Sequence, residues 1–165
     1  MLERFRPNEV APHLDDIDLE KLQKKGVRGI ICDIDNTLLP WDHDVPDKRA
    51  KQWIEKAKKL GIQVVLLSNA LPRRARSLSE QLEIPARAQA VKPRRSGFKK
   101  ALKEMDLEAR EVAVVGDQLF TDIWGGNRMG MHTILVAPLA EKEFFSTRLL
   151  RCLEIKIKRK LGIIS

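Results

Sequence analysis

Short apolar runs alternate with amphipathic segments along most of the chain. The runs are rich in Val, Ile and Leu and show little polar alternation, which is typical of strands buried on both faces of a sheet. They lie at residues 29–32, 62–67, 111–115 and 133–136, with a weaker candidate at residues 86–91. The pattern therefore predicts a parallel sheet built from these segments.

Helical periodicity occupies the intervals, at residues 46–60, 71–82, 96–105 and 122–129. In the first of these segments Trp53, Ile54 and Ala57 form an apolar stripe, and Gly61 marks the end. Strands that alternate with helices are joined by right-handed crossovers, which place helices on both faces of a parallel sheet. We therefore predict an α/β fold with a doubly wound parallel sheet.

Length and composition indicate an ordinary globular protein with an unusual charge. The chain has 165 residues, of which 43% are apolar and 33% are charged, and its formal net charge is +8. We expect one domain over residues 1–165, because this length is close to that of a typical single domain. A basic surface favours anionic partners, such as a nucleic acid, an acidic membrane face or a phosphorylated substrate.

The cysteine count and the lengths of the apolar runs bear on where the protein works. Cys32 and Cys152 are too few for a disulfide framework and fit a reducing compartment. No secretory signal is visible at the amino terminus, and no run approaches the roughly 20 apolar residues that span a bilayer. We expect a cytoplasmic protein, either soluble or peripheral on the inner face of the membrane.

Polar residues directly follow the apolar runs. Ligands bind beyond the carboxyl ends of the strands in open parallel sheets, so these side chains should converge there. They are Asp33 and Asp35, Ser68 and Asn69, Lys92, and Asp117 with Asp122. Taken singly, each has an ordinary explanation, such as a helix cap for Ser68-Asn69 or an exposed turn for Lys92-Pro93. Taken together, they predict one site.

The chemistry of this set favours phosphoryl transfer assisted by a metal. Grouped carboxylates suit Mg²⁺, a hard cation that prefers oxygen ligands and relieves the repulsion between Asp33 and Asp117. Lys92 adds a fixed positive charge for phosphate oxygens, and Ser68 donates a hydrogen bond to them. One carboxylate serves as the nucleophile, and a second protonates the leaving oxygen and later activates water.

The motifs DIDNT, SNA, VKP and GDQLFTD resemble the four motifs of the haloacid dehalogenase superfamily, in its phosphatase majority. The resemblance implies a Rossmann-like core in which Asp33 is the nucleophile and a metal ligand. It implies that Asp35 is the general acid and base, with its main-chain carbonyl also on the metal. Thr37 would then mark phosphotransfer rather than dehalogenation.

The same resemblance assigns the remaining site residues. Ser68 and Lys92 resemble the phosphate-binding residues, and Asn69 is placed with them as a substrate-binding residue. Asp117 resembles the metal-binding acid, with Asp122 close by in support. The implied cofactor is Mg²⁺.

The spacing of the motifs narrows the kind of substrate. Only 30 residues separate Thr37 from Ser68, and 22 separate Asn69 from Lys92. Each interval is filled by one loop, one helix and one strand, so neither has room for the cap domain of many superfamily members. We expect an open site, which suits a substrate that itself excludes water, such as a macromolecule or a lipid head group.

Cationic residues are concentrated near this edge and at the carboxyl terminus. We expect the mouth of the site to be rimmed by Arg73, Arg74, Arg76, Arg94 and Arg95. Residues 141–165 form a basic segment with an apolar stripe at helical spacing, comprising Phe145, Leu149, Leu153 and Ile157. Such a helix lies on an acidic membrane or packs on the core, and both readings stay open.

The strings NEVAPHLDDIDLEKLQKKGVRGIICDIDNTLLPW and GDQLFTDIWGGNRMG resemble the capless phosphatidylglycerophosphate phosphatases of bacteria and mitochondria. That resemblance implies a phospholipid head group as substrate at a membrane surface. One departure is Ala70, where that branch often has a second asparagine. Two alternatives remain: the same chemistry on a nucleic-acid end or a small sugar phosphate, and a non-catalytic basic module that binds RNA or a membrane.

Overall fold

The computed structural model describes residues 2–140 and 145–164, and only the main chain of residues 145–151. Its strands are β1 (Glu9–Ala11), β2 (Gly29–Cys32), β3 (Gln63–Leu67), β4 (Ala86–Arg87), β5 (Val112–Gly116) and β6 (His132–Val136). Its helices are α1 (Leu19–Lys24), α2 (Lys48–Lys59), α3 (Pro72–Leu82), α4 (Arg95–Met105), α5 (Trp124–Asn127) and α6 (Phe145–Lys160). The strands form one parallel sheet in the order β1-β6-β5-β2-β3-β4.

The predicted doubly wound α/β architecture is confirmed, with no cap domain evident in the described residues. Alternate residues of each buried strand serve opposite faces, as the geometry of a strand requires. In β2, Ile30 and Cys32 belong to a core that includes Ile54 of α2, while Ile31 belongs to a second core that includes Phe98 of α4. Helices therefore cover both faces of the sheet.

The ends of α2 show how local sequence sets the helix. Asp47 caps the amino terminus, where its carboxylate accepts a hydrogen bond from the Ala50 N–H over 2.8 Å. At the other end Gly61 adopts a φ of 72°, a left-handed conformation that glycine takes without steric cost. The helix predicted over residues 46–60 is therefore confirmed with a start two residues later.

Two predicted elements differ from the structure. The weak candidate at 86–91 contributes a strand only at Ala86–Arg87, and the polypeptide then continues toward Lys92 as a loop. The segment predicted as a helix over 122–129 begins earlier, with a π-helical turn at Leu119–Ile123 that leads into α5. That wider turn carries Asp122 into the interior, where it is 1% exposed.

The described part of α6 and the residues that follow it pack on the core. Ile157 and Ile163 contact a cluster of buried residues comprising Leu119, Ile123 and Leu135. Leu153, which the sequence placed in the same apolar stripe, is instead 46% exposed, and the Phe145 and Leu149 side chains lie outside the described residues. No helix in the described residues combines the length and the hydropathy that a bilayer span requires.

Candidate active site

The site lies where the order of the strands reverses. From β2 the chain builds outward through β3 and β4, then returns to β5 on the other side of β2. Asp33 follows β2 and Asp117 follows β5, and the Asp33 N–H donates to the Val115 carbonyl over 2.9 Å. This reversal is the point at which open parallel sheets bind their ligands.

Three buried carboxylates meet at this point. Oxygen atoms of Asp33, Asp117 and Asp122 all lie within 4.8 Å of one another. The close approach of Asp122 depends on Gly116, because a Cβ atom on Gly116 would lie 2.3 Å from the Asp122 Cγ atom. The main-chain N–H of Gln118 also donates to Asp122 Oδ2 over 3.2 Å, which fixes the orientation of that carboxylate.

Lys92 places a positive charge among these carboxylates. Its ammonium group donates to Asp33 Oδ1 and, over 2.7 Å, to Asp122 Oδ1. Burial alone would lower the pKa of Lys92, but Asp122 and Asp33 outweigh that effect and the pKa is raised. The side chain therefore stays charged.

Asn69 holds the main chain of Lys92 from both sides. The Lys92 N–H donates to Asn69 Oδ1 over 2.7 Å, and Asn69 Nδ2 donates to the Lys92 carbonyl over 3.3 Å. The structure thus gives Asn69 a positioning contact between the loops after β3 and β4. Its predicted contact with substrate stays a prediction.

The environment of Asp33 favours a bound cation. Burial raises the pKa of Asp33 well above its usual range; Lys92 opposes this shift, and the carboxylates of Asp122 and Asp117 reinforce it. The Thr37 hydroxyl lies 3.4 Å from Asp33 Oδ2 and 3.3 Å from Asp117 Oδ1, within reach of both groups. A divalent cation here would lower the cost of keeping these carboxylates ionised.

The donor set fits Mg²⁺. All three clustered side chains offer carboxylate oxygens, which are the ligands this hard cation prefers, and no soft sulfur or imidazole ligand belongs to the cluster. The carboxylate of Asp35 is directed elsewhere, so its predicted part in metal binding rests on its main-chain carbonyl.

Asp35 is held by Arg74, for which the sequence indicated only a place at the mouth of the site. Arg74 Nε donates to Asp35 Oδ1 over 2.9 Å, and the same guanidinium bonds Asp44 Oδ1 over 2.7 Å and the Pro40 carbonyl over 3.1 Å. Arg74 lies at the active edge as expected, but its side chain is only 15% exposed and is ion-paired with Asp35 and Asp44. No spacing signal distinguished it from its exposed neighbours Arg73 and Arg76.

Ser68 lies beside Asp35 rather than beside Asp33. Its hydroxyl is 3.5 Å from Asp35 Oδ2 and accepts a hydrogen bond from the Ala70 N–H over 2.9 Å. Ser68 is buried, with 1% of its surface exposed. Its phosphate-binding role stays a prediction.

We expect Gly116→Ala to lower activity on the order of 10²-fold, because the added methyl group displaces Asp122 and, through it, Lys92. Gly29→Ala is the matched control, since its Cβ would meet the flexible ends of Leu107 and Met105. Both variants should lose roughly 1–3 kcal/mol of stability from overpacking. Activity is measured by steady-state kinetics and stability by thermal denaturation. An equal loss of activity in both variants would contradict the role given to Gly116.

Comparisons with known proteins agree with this geometry. Residues 8–130 match the family described as haloacid dehalogenase-like hydrolase. The chain is 43% identical over 153 residues to the probable phosphatase YqeG of Bacillus subtilis (strain 168), covering 93% of this chain and 89% of that protein. It is 32% identical over 168 residues to phosphatidylglycerophosphate phosphatase 1, chloroplastic/mitochondrial, of Arabidopsis thaliana.

The extent of these matches differs. The alignment with the Arabidopsis protein covers 92% of this chain but 48% of that protein, so the chain spans about half of that relative. An uncharacterized protein from Listeria monocytogenes serotype 4b superposes with a TM-score of 0.58 at 21% identity, covering 81% of this chain and 99% of that one, which shows the fold alone.

The family match sets aside the non-catalytic alternative. The chain belongs to the haloacid dehalogenase-like hydrolases, and it is a phosphatase of that superfamily.

Proposed function

We propose that the protein is a Mg²⁺-dependent phosphomonoesterase that acts through an aspartyl-phosphate on Asp33, with phosphatidylglycerophosphate as its substrate. The observation that carries the mechanism is the placement of Asp33, which lies between Lys92 and Thr37 at the reversal of the sheet. A buried carboxylate next to a fixed cation is poised to attack a phosphorus atom that the same cation attracts.

The reaction proceeds in two displacements. An Asp33 oxygen forms a bond to phosphorus as the ester P–O bond breaks, and the leaving oxygen takes a proton from Asp35. Water then attacks the phosphorus of the acyl phosphate and gives a proton to Asp35. This step releases inorganic phosphate and regenerates the Asp33 carboxylate. Arg74 holds Asp35 in place through both steps.

Asp33, Asp117 and Asp122, with the Asp35 carbonyl, are the residues that would hold Mg²⁺. When bound, the ion supplies positive charge that neutralises the phosphoryl oxygens. Lys92 supplies a second, permanent charge, and Asn69 keeps it in register by bonding its main chain. The Ser68 hydroxyl offers a donor to a phosphate oxygen on the Asp35 side.

The substrate is proposed from the open edge and from the relatives. The described residues include no cap, so a head group projecting from a surface can reach Asp33. The Arabidopsis relative is named as a phosphatidylglycerophosphate phosphatase, and its match spans most of this chain. A second candidate, a nucleic-acid end, is favoured by the exposed guanidinium groups of Arg73, Arg94 and Arg95.

We expect purified protein to release phosphate from phosphatidylglycerophosphate with Mg²⁺, to fall to background with EDTA, and to recover when Mg²⁺ is restored. The physical reason is that the clustered carboxylates repel an anionic substrate unless a cation balances them. The assay compares the lipid with a 5′-phosphorylated oligonucleotide and a sugar phosphate. Faster turnover of either soluble substrate would contradict phosphatidylglycerophosphate as the substrate. Full activity in EDTA would contradict the proposed dependence on Mg²⁺.

A further inference from the structure

Three exposed apolar side chains lie on loops around the mouth of the site. Leu71 at the start of α3 is 72% exposed, Val91 directly before Lys92 is 52% exposed, and Leu139 after β6 is 39% exposed. Exposed apolar residues scattered singly over a surface need no explanation, whereas apolar residues grouped at one opening indicate an interaction site. All three follow strands of the same parallel sheet at its carboxyl edge.

Hydrogen bonds place two of these residues on adjacent loops. The Gln89 N–H donates to the Ala70 carbonyl over 3.2 Å, which joins the loop leading to Val91 to the loop that ends at Leu71. These loops also carry Lys92 and Asn69. Leu71 and Val91 therefore lie on neighbouring loops at the opening of the site, and their side chains face solvent.

Leu139 stands on the other side of the same opening. Its N–H donates to the Asn36 carbonyl over 3.0 Å, in the turn that follows Asp33. The nucleophile proposed above is therefore flanked by exposed apolar residues from both halves of the sheet.

Exposed arginines accompany the apolar residues. Arg73 lies in the first turn of α3, and Arg94 and Arg95 lie at the start of α4. The Arg94 N–H donates to the Val91 carbonyl over 2.9 Å, so a guanidinium-bearing residue and an exposed valine share one tight turn. Cations beside apolar side chains match an anionic membrane interface, where lipid phosphates and acyl chains lie within a few ångströms.

We propose that this face seats the open site directly on an anionic lipid bilayer. We call it the docking rim and define it as Leu71, Val91 and Leu139 with Arg73, Arg94 and Arg95. The inference rests on the proposed function, because docking in this orientation presents a lipid phosphate to Asp33. The rim contains no aromatic residue, which disfavours base stacking on a single-stranded nucleic acid.

The test is co-sedimentation of the full chain with phosphatidylcholine vesicles, with and without phosphatidylserine and without any substrate. The double variant Leu71→Ser, Val91→Asn suits the backbone, since serine is a good helix cap and asparagine tolerates the φ of 52° at position 91. We expect it to bind anionic vesicles on the order of tenfold more weakly, because two inserting side chains are lost.

The control removes exposed apolar residues from α6 instead, with Leu153→Ser and Ile155→Ser. It should bind anionic vesicles as the wild type does. An equal or greater loss in this control, or no loss in the rim variant, would overturn the proposal. The proposal would also be overturned if the rim variant bound vesicles as strongly as the wild type and RNA displaced both proteins from them.

A soluble substrate separates this inference from the proposed function. Hydrolysis of p-nitrophenyl phosphate without vesicles should be the same in the rim variant and the wild type, while hydrolysis of vesicle-borne phosphatidylglycerophosphate should fall in the variant. If vesicle binding depended on the rim but that lipid were not hydrolysed, the proposed substrate would be wrong and the docking proposal would stand. If the detergent-dispersed lipid were hydrolysed but vesicle binding did not depend on the rim, the docking proposal would be wrong and the proposed substrate would stand.

Discussion

Asp33→Asn is expected to abolish phosphate release. The amide keeps the shape of the carboxylate but cannot attack phosphorus, so the covalent step is lost. Folding should survive, because the change removes one of three buried negative charges and Lys92 keeps its 2.7 Å contact with Asp122. The measurements are steady-state phosphate release and thermal denaturation without metal.

A chemical trap sharpens this prediction. Wild-type protein quenched during turnover should carry a hydroxylamine-sensitive phosphate that the Asp33→Asn protein lacks. Asp106→Asn is the matched control, since Asp106 is exposed, adopts a φ of 53° that asparagine tolerates, and lies after α4, away from the site. Turnover by the Asp33→Asn protein at the control's rate would eliminate Asp33 as the nucleophile.

Lys92→Met has the second largest expected effect, and it acts on both activity and stability. Removing the ammonium group leaves Asp33 and Asp122 buried without the cation that contacts them both. Breaking a buried ion pair in this way typically costs roughly 3–5 kcal/mol of unfolding free energy. Activity should fall on the order of 10³-fold or more, as when a fixed group that stabilises transition-state charge is removed.

Added Mg²⁺ distinguishes a structural from a catalytic effect of this change. Because a bound metal ion would also balance the carboxylates, Mg²⁺ should raise the melting temperature of Lys92→Met more than that of the wild type, without restoring activity. Lys100→Met, an exposed lysine on α4, is the control and should match the wild type in both respects. Wild-type turnover in Lys92→Met would contradict the role of this lysine.

The fold was predictable wherever strands are buried on both faces. The runs that became β2, β3, β5 and β6 are continuous apolar segments, and each was located within one residue. The edge strand β1 was missed because it has three residues and begins with Glu9, whose carboxylate pairs with Lys25. A half-exposed edge strand leaves no continuous apolar run to detect.

The sequence predicted which residues meet at the candidate site better than it predicted the contacts between them. Parallel strands end at one edge, so residues that follow them had to meet there, and Asp33, Lys92 and Asp122 do so. The link between Arg74 and Asp35 was not predictable, because several arginines share that stretch and only side-chain packing selects one of them. The need for glycine at position 116 was equally hidden, since it depends on a π-helical turn that periodicity did not reveal.

The carboxyl-terminal helix supports the turn that carries Asp122. The Glu154 carboxylate accepts a hydrogen bond over 3.1 Å from the N–H of Phe120, two residues before Asp122. Ile157 then anchors the same wide turn through its contact with the Leu119 cluster. Trimming the chain before Glu154 would therefore loosen the turn that holds Asp122 in the carboxylate cluster, so losing the tail would also destabilise that cluster.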